Sequence, residues 1–101
     1  MSLPVASVSV SDGVATVVVD GEVDLATAGQ LRAALADAAR VATATVLDLT
    51  GARYFDSAAV RAVFEHAEQL REIVAPAGGI IARVLSISGL DQHVAVRRPD
   101  G

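Results

Sequence analysis

Length, composition and charge narrow the function classes open to this chain. Its 101 residues suit one domain with one core, in which 52% hydrophobic but only 3% aromatic residues favour packing by Val, Leu, Ile and Ala. The absence of cysteine and lysine excludes disulfides, thiolate chemistry, Walker-type phosphate loops and Schiff-base enzymes, and a net charge of −4 with scattered arginines provides no basic face for nucleic acid.

The first twenty residues predict a β-hairpin. Apolar residues alternate with serine over residues 6–11, which is the period of a half-buried strand. Asp12-Gly13 marks a tight turn, and a β-branched run follows over Val14–Val19.

A helix is predicted to begin near Thr27. The run from Thr27 to Gln30 has the spacing of a capping box, in which the two side chains satisfy free backbone N–H groups. Apolar residues then recur at helical spacing. The predicted buried stripe consists of Leu31, Ala34, Leu35 and Ala38.

The middle of the chain predicts a strand, a loop and a second helix. Thr43–Leu49 is short and β-branched, as in a strand buried on both faces, and Thr50-Gly51 opens a loop. The second helix runs from Ser57 to about Leu70, with Asp56 or Ser57 as its N-cap. Its predicted apolar face consists of Val60, Val63, Phe64, Ala67 and Leu70.

The last third predicts strand, helix and strand. The strands are Ile73–Ala75 and Val94–Val96, and the helix between them runs from Ile80 or Ile81 to Ser88, with Gly89 as its C-terminal cap. Residues 98–101 are expected to form a flexible tail. The order ββαβαβαβ predicts a single α/β domain over residues 1–101, with a mixed β-sheet flanked by helices.

No residue pattern points to an enzyme. We find no nucleophile beside a base and no metal-ligand spacing, so we expect no catalytic residue, metal or cofactor. An enzyme using Asp24, Asp48 or Asp56 as acid or base remains an alternative, which a deep pocket gathering two of these carboxylates would support.

The cluster Tyr54–Ala59 lies at a strand-to-helix junction. Helix N-termini favour anions and phosphorylated hydroxyls, because their first N–H groups have no partners within the helix. From the residues alone, simple helix capping is the favoured explanation of Asp56 and Ser57, because Asp and Ser are the commonest helix caps. A docking role requires residues 55–59 to lie exposed with free amide groups.

Four segments occur in register along nearly the whole chain: Gly21–Ala28, Val46–Thr50, Phe55–Ser57 and Val84–Asp91. Together they resemble the STAS domain of anti-sigma factor antagonists. The resemblance implies a STAS-like mixed sheet flanked by helices. It also implies partner switching in bacterial transcription control, in which the antagonist binds an anti-sigma factor, usually a serine kinase with an ATP-binding fold, and frees a sigma factor.

The resemblance also implies where the partner binds. The implied partner-binding residues are Asp24, Thr27, Phe55, Asp56, Ser57, Ala58 and Ala59. We expect a cytoplasmic protein, monomeric or weakly dimeric, without a nucleic-acid partner. Direct membrane insertion is not expected, because no stretch approaches the roughly 18 apolar residues of a span.

The chain departs from the family motif at the phosphoacceptor. That motif reads Asp-Ser-Ser-Gly or Asp-Ser-Thr-Gly, with the second hydroxyl residue phosphorylated, whereas this chain has Asp56-Ser57-Ala58-Ala59. Ala58 has no hydroxyl group, so either the antagonist cannot be switched off at this position or Ser57 is phosphorylated instead. A STAS-like accessory subunit of a membrane transport complex is the alternative function.

Overall fold

A computed structural model describes residues 3–99 and contains five strands and four α-helices in that range. The strands are β1 (Ala6–Ser11), β2 (Val14–Val23), β3 (Ala44–Phe55), β4 (Leu70–Val74) and β5 (Val96–Arg97). The helices are α1 (Ala28–Val41), α2 (Ser57–Glu65), α3 (Gly79–Ser88) and α4 (Leu90–His93), and a 3₁₀ helix spans Ala67–Gln69. The predicted order of strands and main helices is confirmed, and the 3₁₀ helix and α4 are additions to it.

The predicted hairpin forms from β1 and β2. The strands pair antiparallel from Ala6 opposite Val19 to Ser11 opposite Val14. Asp12 and Gly13 both have positive φ, at 52° and 79°. Positive φ at both central residues matches the right-handed twist of a two-residue hairpin, which explains the Asp-Gly sequence here.

The sheet has the order β1-β2-β3-β4-β5, and every pair after the first is parallel. Its two faces differ. Val17, Leu47 and Ile73 lie opposite one another and are fully buried in one core cluster that also contains the buried residues of α1, α2 and α3. Val18, on the other face, is 38% exposed. The helices therefore cover one face and leave much of the other to solvent.

β3 corrects two sequence-based predictions. It continues through Thr50-Gly51 to Phe55, where a loop was predicted, because its second half pairs with the second half of β2. Only alternate residues are buried at its start, with Thr45, Leu47 and Leu49 inside. The prediction of burial on both faces was wrong, because helices pack on one side only.

The second helix is shorter than its apolar spacing predicted. α2 ends at Glu65, and Leu70 begins β4 instead of ending the helix. Its buried residues are Ala59, Ala62 and Val63, whereas Phe64 is 38% exposed. β4 pairs parallel to β3, so α2 has to carry the chain back to the end of the sheet where β3 begins. The few residues between α2 and β4 then turn the chain into the sheet.

The C-terminal third follows the prediction with shifted strand bounds. α3 ends at Ser88, and Gly89, with a φ of 84°, forms the expected left-handed cap after it. β4 begins three residues before the predicted strand, and β5 lies at Val96–Arg97 instead of 94–96. Part of the predicted tail, residues 100 and 101, lies outside the described residues. Within residues 3–99, none of the helices has the length and apolar character needed to cross a membrane.

Candidate functional site

Two strand-to-helix junctions lie side by side at the carboxyl ends of β2 and β3. β2 and β3 run parallel with Val23 opposite Phe55, and the Asp56 amide donates to the Val23 carbonyl oxygen at 3.1 Å. α1 and α2 begin just after these strand ends, at Ala28 and Ser57. The sequence segments that carry the candidate residues are therefore neighbours in the fold.

Asp56 caps α2. Its Oδ1 accepts hydrogen bonds from the backbone amides of Ala58 and Ala59, at 2.9 and 3.1 Å. Asp56 is thus the N-cap, one of the two predicted candidates. The expectation of free amide groups at residues 55–59 was wrong for Ala58 and Ala59, since the Asp56 carboxylate already satisfies them.

Asp24 organises the start of α1. Its Oδ1 accepts from the amides of Ala26 and Thr27 at 3.0 and 3.2 Å, while the Thr27 hydroxyl oxygen accepts from the Asp24 amide at 3.0 Å. The helix begins where predicted, with Thr27 as N-cap, but the predicted capping box does not form. Gln30 instead accepts a hydrogen bond from the Val5 amide at 2.9 Å, which ties α1 to the chain before β1.

Exposure separates the candidate residues into three groups. Ser57 is exposed, while Asp24, Thr27, Asp56 and Ala58 are half-buried. Phe55 is only 3% exposed at the floor of a groove, so its predicted exposure was wrong, because its ring packs in the core. Ala59 is fully buried in the core, which corrects its predicted place on a contact surface, because its methyl group packs beneath α2.

Two grooves flank Ser57. The apolar groove, of about 290 Å³, lies between α2 and α3, and its lining consists of Phe55, Asp56, Ser57, Val60, Val84, Ile87 and Ser88. The polar groove, of about 460 Å³, lies between α1 and α2, and its lining consists of Leu25, Ala28, Gly29, Arg32, Ser57, Ala58 and Arg61. Ser57 thus stands on the ridge between an apolar and a cationic surface.

Sequence reasoning missed two exposed apolar side chains beside Ser57. Leu25 is 82% exposed at the polar groove, and Ile87 is 79% exposed at the apolar groove. A signal for Ile87 existed, because it falls outside the buried stripe of α3, where a polar residue is usual. Apolar side chains that are exposed beside a groove are candidate contacts for a protein partner.

Three aspartates considered for acid–base chemistry hold local structure. Asp24 and Asp56 stabilise the starts of α1 and α2, as described above. Asp48 accepts from the Thr50 amide at 2.9 Å and from the Thr50 hydroxyl group. Each carboxylate therefore has a structural role that requires no substrate.

Replacing Asp56 with alanine should destabilise the fold without unfolding it. The free energy of unfolding should fall by about 1 kcal/mol, because two first-turn amides of α2 lose their acceptor. Asp56→Asn is the matched control, since its side-chain oxygen still accepts. Urea denaturation of the three proteins measures the difference, and equal stability of Asp56→Ala and the native chain would contradict the capping role.

Comparison with known proteins gives the same fold. The family model STAS_2, described as "Mlab, STAS domain", matches residues 6–97. An anti-sigma factor antagonist from Mycobacterium paratuberculosis is 29% identical, with a TM-score of 0.81, and the match covers 96% of this chain and 90% of that one. Among curated proteins, none matches this sequence significantly.

Two structures of the anti-sigma factor antagonist SpoIIAA are also similar. The unphosphorylated form has a TM-score of 0.74 at 17% identity, with 94% of this chain and 90% of that chain covered. The phosphorylated form from Bacillus has a TM-score of 0.67 at 17% identity, with 94% and 93% covered. These matches confirm the predicted STAS-like mixed sheet flanked by helices.

Proposed function

Because the chain belongs to the STAS domain family, we propose that it is an anti-sigma factor antagonist that binds a serine-kinase-type anti-sigma factor and releases a sigma factor. The observation that carries the proposal is the 29% identity to an anti-sigma factor antagonist over 96% of this chain. This role places the protein in the cytoplasm as a regulatory, non-enzymatic binding domain.

The surface around Ser57 supports a protein partner. Two strongly exposed apolar side chains, Leu25 and Ile87, flank this residue on opposite sides. A partner that covers these two side chains removes apolar area from solvent, which favours binding. We therefore centre the proposed interface on Ser57, with Asp24, Thr27, Asp56 and Ala58 around it and Phe55 beneath it.

We further propose that the antagonist is not switched off at the usual position. Ala58 stands where the family motif has its phosphoacceptor, and a methyl group cannot accept a phosphoryl group. Ser57 is exposed and therefore reachable, but it lies about 100° around the helix from residue 58. A kinase that presents ATP toward position 58 meets a different geometry at Ser57.

Ala58→Ser should restore switching. With a kinase-type anti-sigma factor and ATP, the variant should be phosphorylated and its affinity should fall about 5- to 150-fold, the range of a regulatory coupling. The added phosphate brings a charge of about −1.5 to −2 into the interface beside the Asp56 carboxylate. The native chain should keep its affinity under the same conditions. Phosphopeptide mass spectrometry and calorimetry with and without ATP provide the two measurements.

Controls separate the possible failures of this experiment. Ala58→Ser without ATP should bind as the native chain does, and Ser57→Ala/Ala58→Ser assigns the phosphate to residue 58. Phosphate on Ser57 of the native chain would contradict the unswitched form but not the antagonist role. Native chain that binds none of the kinase-type anti-sigma factors, and instead co-purifies with an ABC-type ATPase, would replace the proposal with the transport-subunit function.

A further inference from the structure

We infer that the polar groove between α1 and α2 is the docking site for an acidic side chain of the partner protein. This inference rests on the proposed function and adds the chemistry by which the partner is recognised. The ligand is a carboxylate carried on a protein segment with an apolar residue beside it.

The groove lining is cationic. Arg32 and Arg61 contribute guanidinium groups and Ser57 contributes a hydroxyl group. Among residues 3–99, none that lines the groove carries a carboxylate, although the Glu65 carboxylate pairs with Arg32 beside it. Guanidinium groups present a fork of N–H donors that matches a carboxylate in two-bond geometry. The donor set of this groove therefore fits an oxyanion better than it fits a neutral ligand.

Arg32 is held in place by one ion pair and keeps other N–H donors available. Its Nε donates to Glu65 Oε1 at 2.7 Å, and this guanidinium lowers the pKa of the Glu65 carboxyl group below its ordinary value. The Nε bond uses one of the five N–H donors of a guanidinium group. Within residues 3–99, Arg61 makes no ion pair. One anchored and one unpaired arginine are thus available at the groove.

The backbone adds charge of the same sign. Ala28 and Gly29 from the first turn of α1 and Ser57 and Ala58 from the first turn of α2 line the groove. Helix N-termini carry a partial positive charge of the same sign as the two arginines. The Asp24 and Asp56 carboxylates, which accept from amides at the starts of α1 and α2, offset part of that charge. The positive groove is a local exception on a chain of net charge −4.

Leu25 identifies the source of the anion as a protein. Its side chain is 82% exposed at the groove, so binding of a small inorganic ion would leave it in water. A partner segment can place an acidic residue in the groove, where it pairs with the arginines, and an apolar residue against Leu25, which it shields from water. Phosphate on Ser57, if a kinase placed it there, would enter the same groove and compete with the partner's carboxylate.

The test compares Arg32→Gln/Arg61→Gln with Arg71→Gln. Arg71 is an exposed arginine of β4 that lies outside the groove lining, so its loss is a matched control for a change in charge. We expect the double variant to bind the anti-sigma factor at least tenfold more weakly, with a shallower dependence of affinity on NaCl concentration. Thermal denaturation followed by circular dichroism checks that all proteins are folded.

A second measurement needs no partner protein. Inorganic phosphate, as the oxyanion probe, should shift the ¹⁵N–¹H signals of Gly29 and Ser57 in the native chain and not in the double variant, relative to chloride at equal ionic strength. The inference is overturned if phosphate shifts these signals no more than chloride does. It is also overturned if the double variant binds the anti-sigma factor with native affinity and salt dependence, a result that leaves the antagonist role intact.

Discussion

Ile87→Asp should reduce the affinity for the anti-sigma factor by about 30-fold or more, which corresponds to the ~2 kcal/mol loss expected at an interface hot spot. Ile87 is 79% exposed and lines the apolar groove, so a partner that binds there covers its side chain. The variant places a charge where the partner offers an apolar surface, and desolvating that charge opposes binding. Isothermal titration calorimetry measures the change.

The matched control is Val41→Asp. Val41 is also exposed and apolar, but it ends α1 beside the β1–β2 turn, where the Thr43 amide donates to the Gly13 carbonyl oxygen at 3.0 Å. Val41 lies at the C-terminal end of α1, whereas Ser57 lies beside the N-terminal end of that helix, so the affinity of Val41→Asp for the anti-sigma factor should equal that of the native chain. Equal loss in both variants would argue for a nonspecific effect of negative charge, and native affinity of Ile87→Asp would remove the apolar groove from the interface.

Leu31→Ala should lower the free energy of unfolding by about 2–5 kcal/mol. Leu31 is fully buried on the face of α1 that packs against the sheet, and its truncation leaves a cavity that rigid neighbours fill only in part. A loss of this size is a large fraction of the ~5–15 kcal/mol that stabilises a typical domain. Urea denaturation monitored by circular dichroism gives the free energy of unfolding.

Leu25→Ala provides the comparison for Leu31→Ala. The two leucines lie six residues apart, but Leu25 is 82% exposed, so its truncation should change stability by less than about 0.5 kcal/mol. Equal losses of stability in the two variants would contradict the conclusion that Leu31, and not Leu25, packs between α1 and the sheet. Leu25→Ala should instead weaken partner binding, which separates a docking residue from a core residue.

Local sequence signals predicted the parts of the fold that short-range physics determines. Asp12-Gly13 allows positive φ at two successive residues, and Gly89 allows the left-handed cap of α3. The buried stripe of α1 follows from helical spacing alone. These features depend on interactions within a few residues, which a single sequence displays.

The features that were not predicted depend on partners distant in sequence. Gly51 has the character of a loop residue, yet it lies within β3 and pairs with Asp20, just after a shift in the β2–β3 register. A Cβ atom at Gly51 would come within 3.1 Å of the Val19 carbonyl oxygen, so glycine here reflects a close approach of two strands. Local propensity cannot reveal such a pairing, because tertiary contacts override it.

The candidate site also has features that the sequence predicts and features that it does not. Asp56 as the N-cap of α2 was predictable, because cap residues act on amides two and three residues away. The positions of Leu25 and Ile87 on opposite sides of Ser57 were not predictable, because they depend on where α1 and α3 pack relative to α2. The burial of Ala59 likewise depends on the core beneath the helix.

The strand order has a consequence for how the chain folds during synthesis. Each strand pairs with the strand that precedes it in the chain, so the sheet grows outward in the direction of translation. A nascent polypeptide that has emerged through Phe55 already contains every strand neighbour of β1 and β2, together with the helix that covers them. β1 and β2 therefore need no partner strand from the C-terminal part of the chain. Strands that remain unpaired until a C-terminal strand is synthesised are prone to aggregate, and this topology avoids that delay for the first two strands.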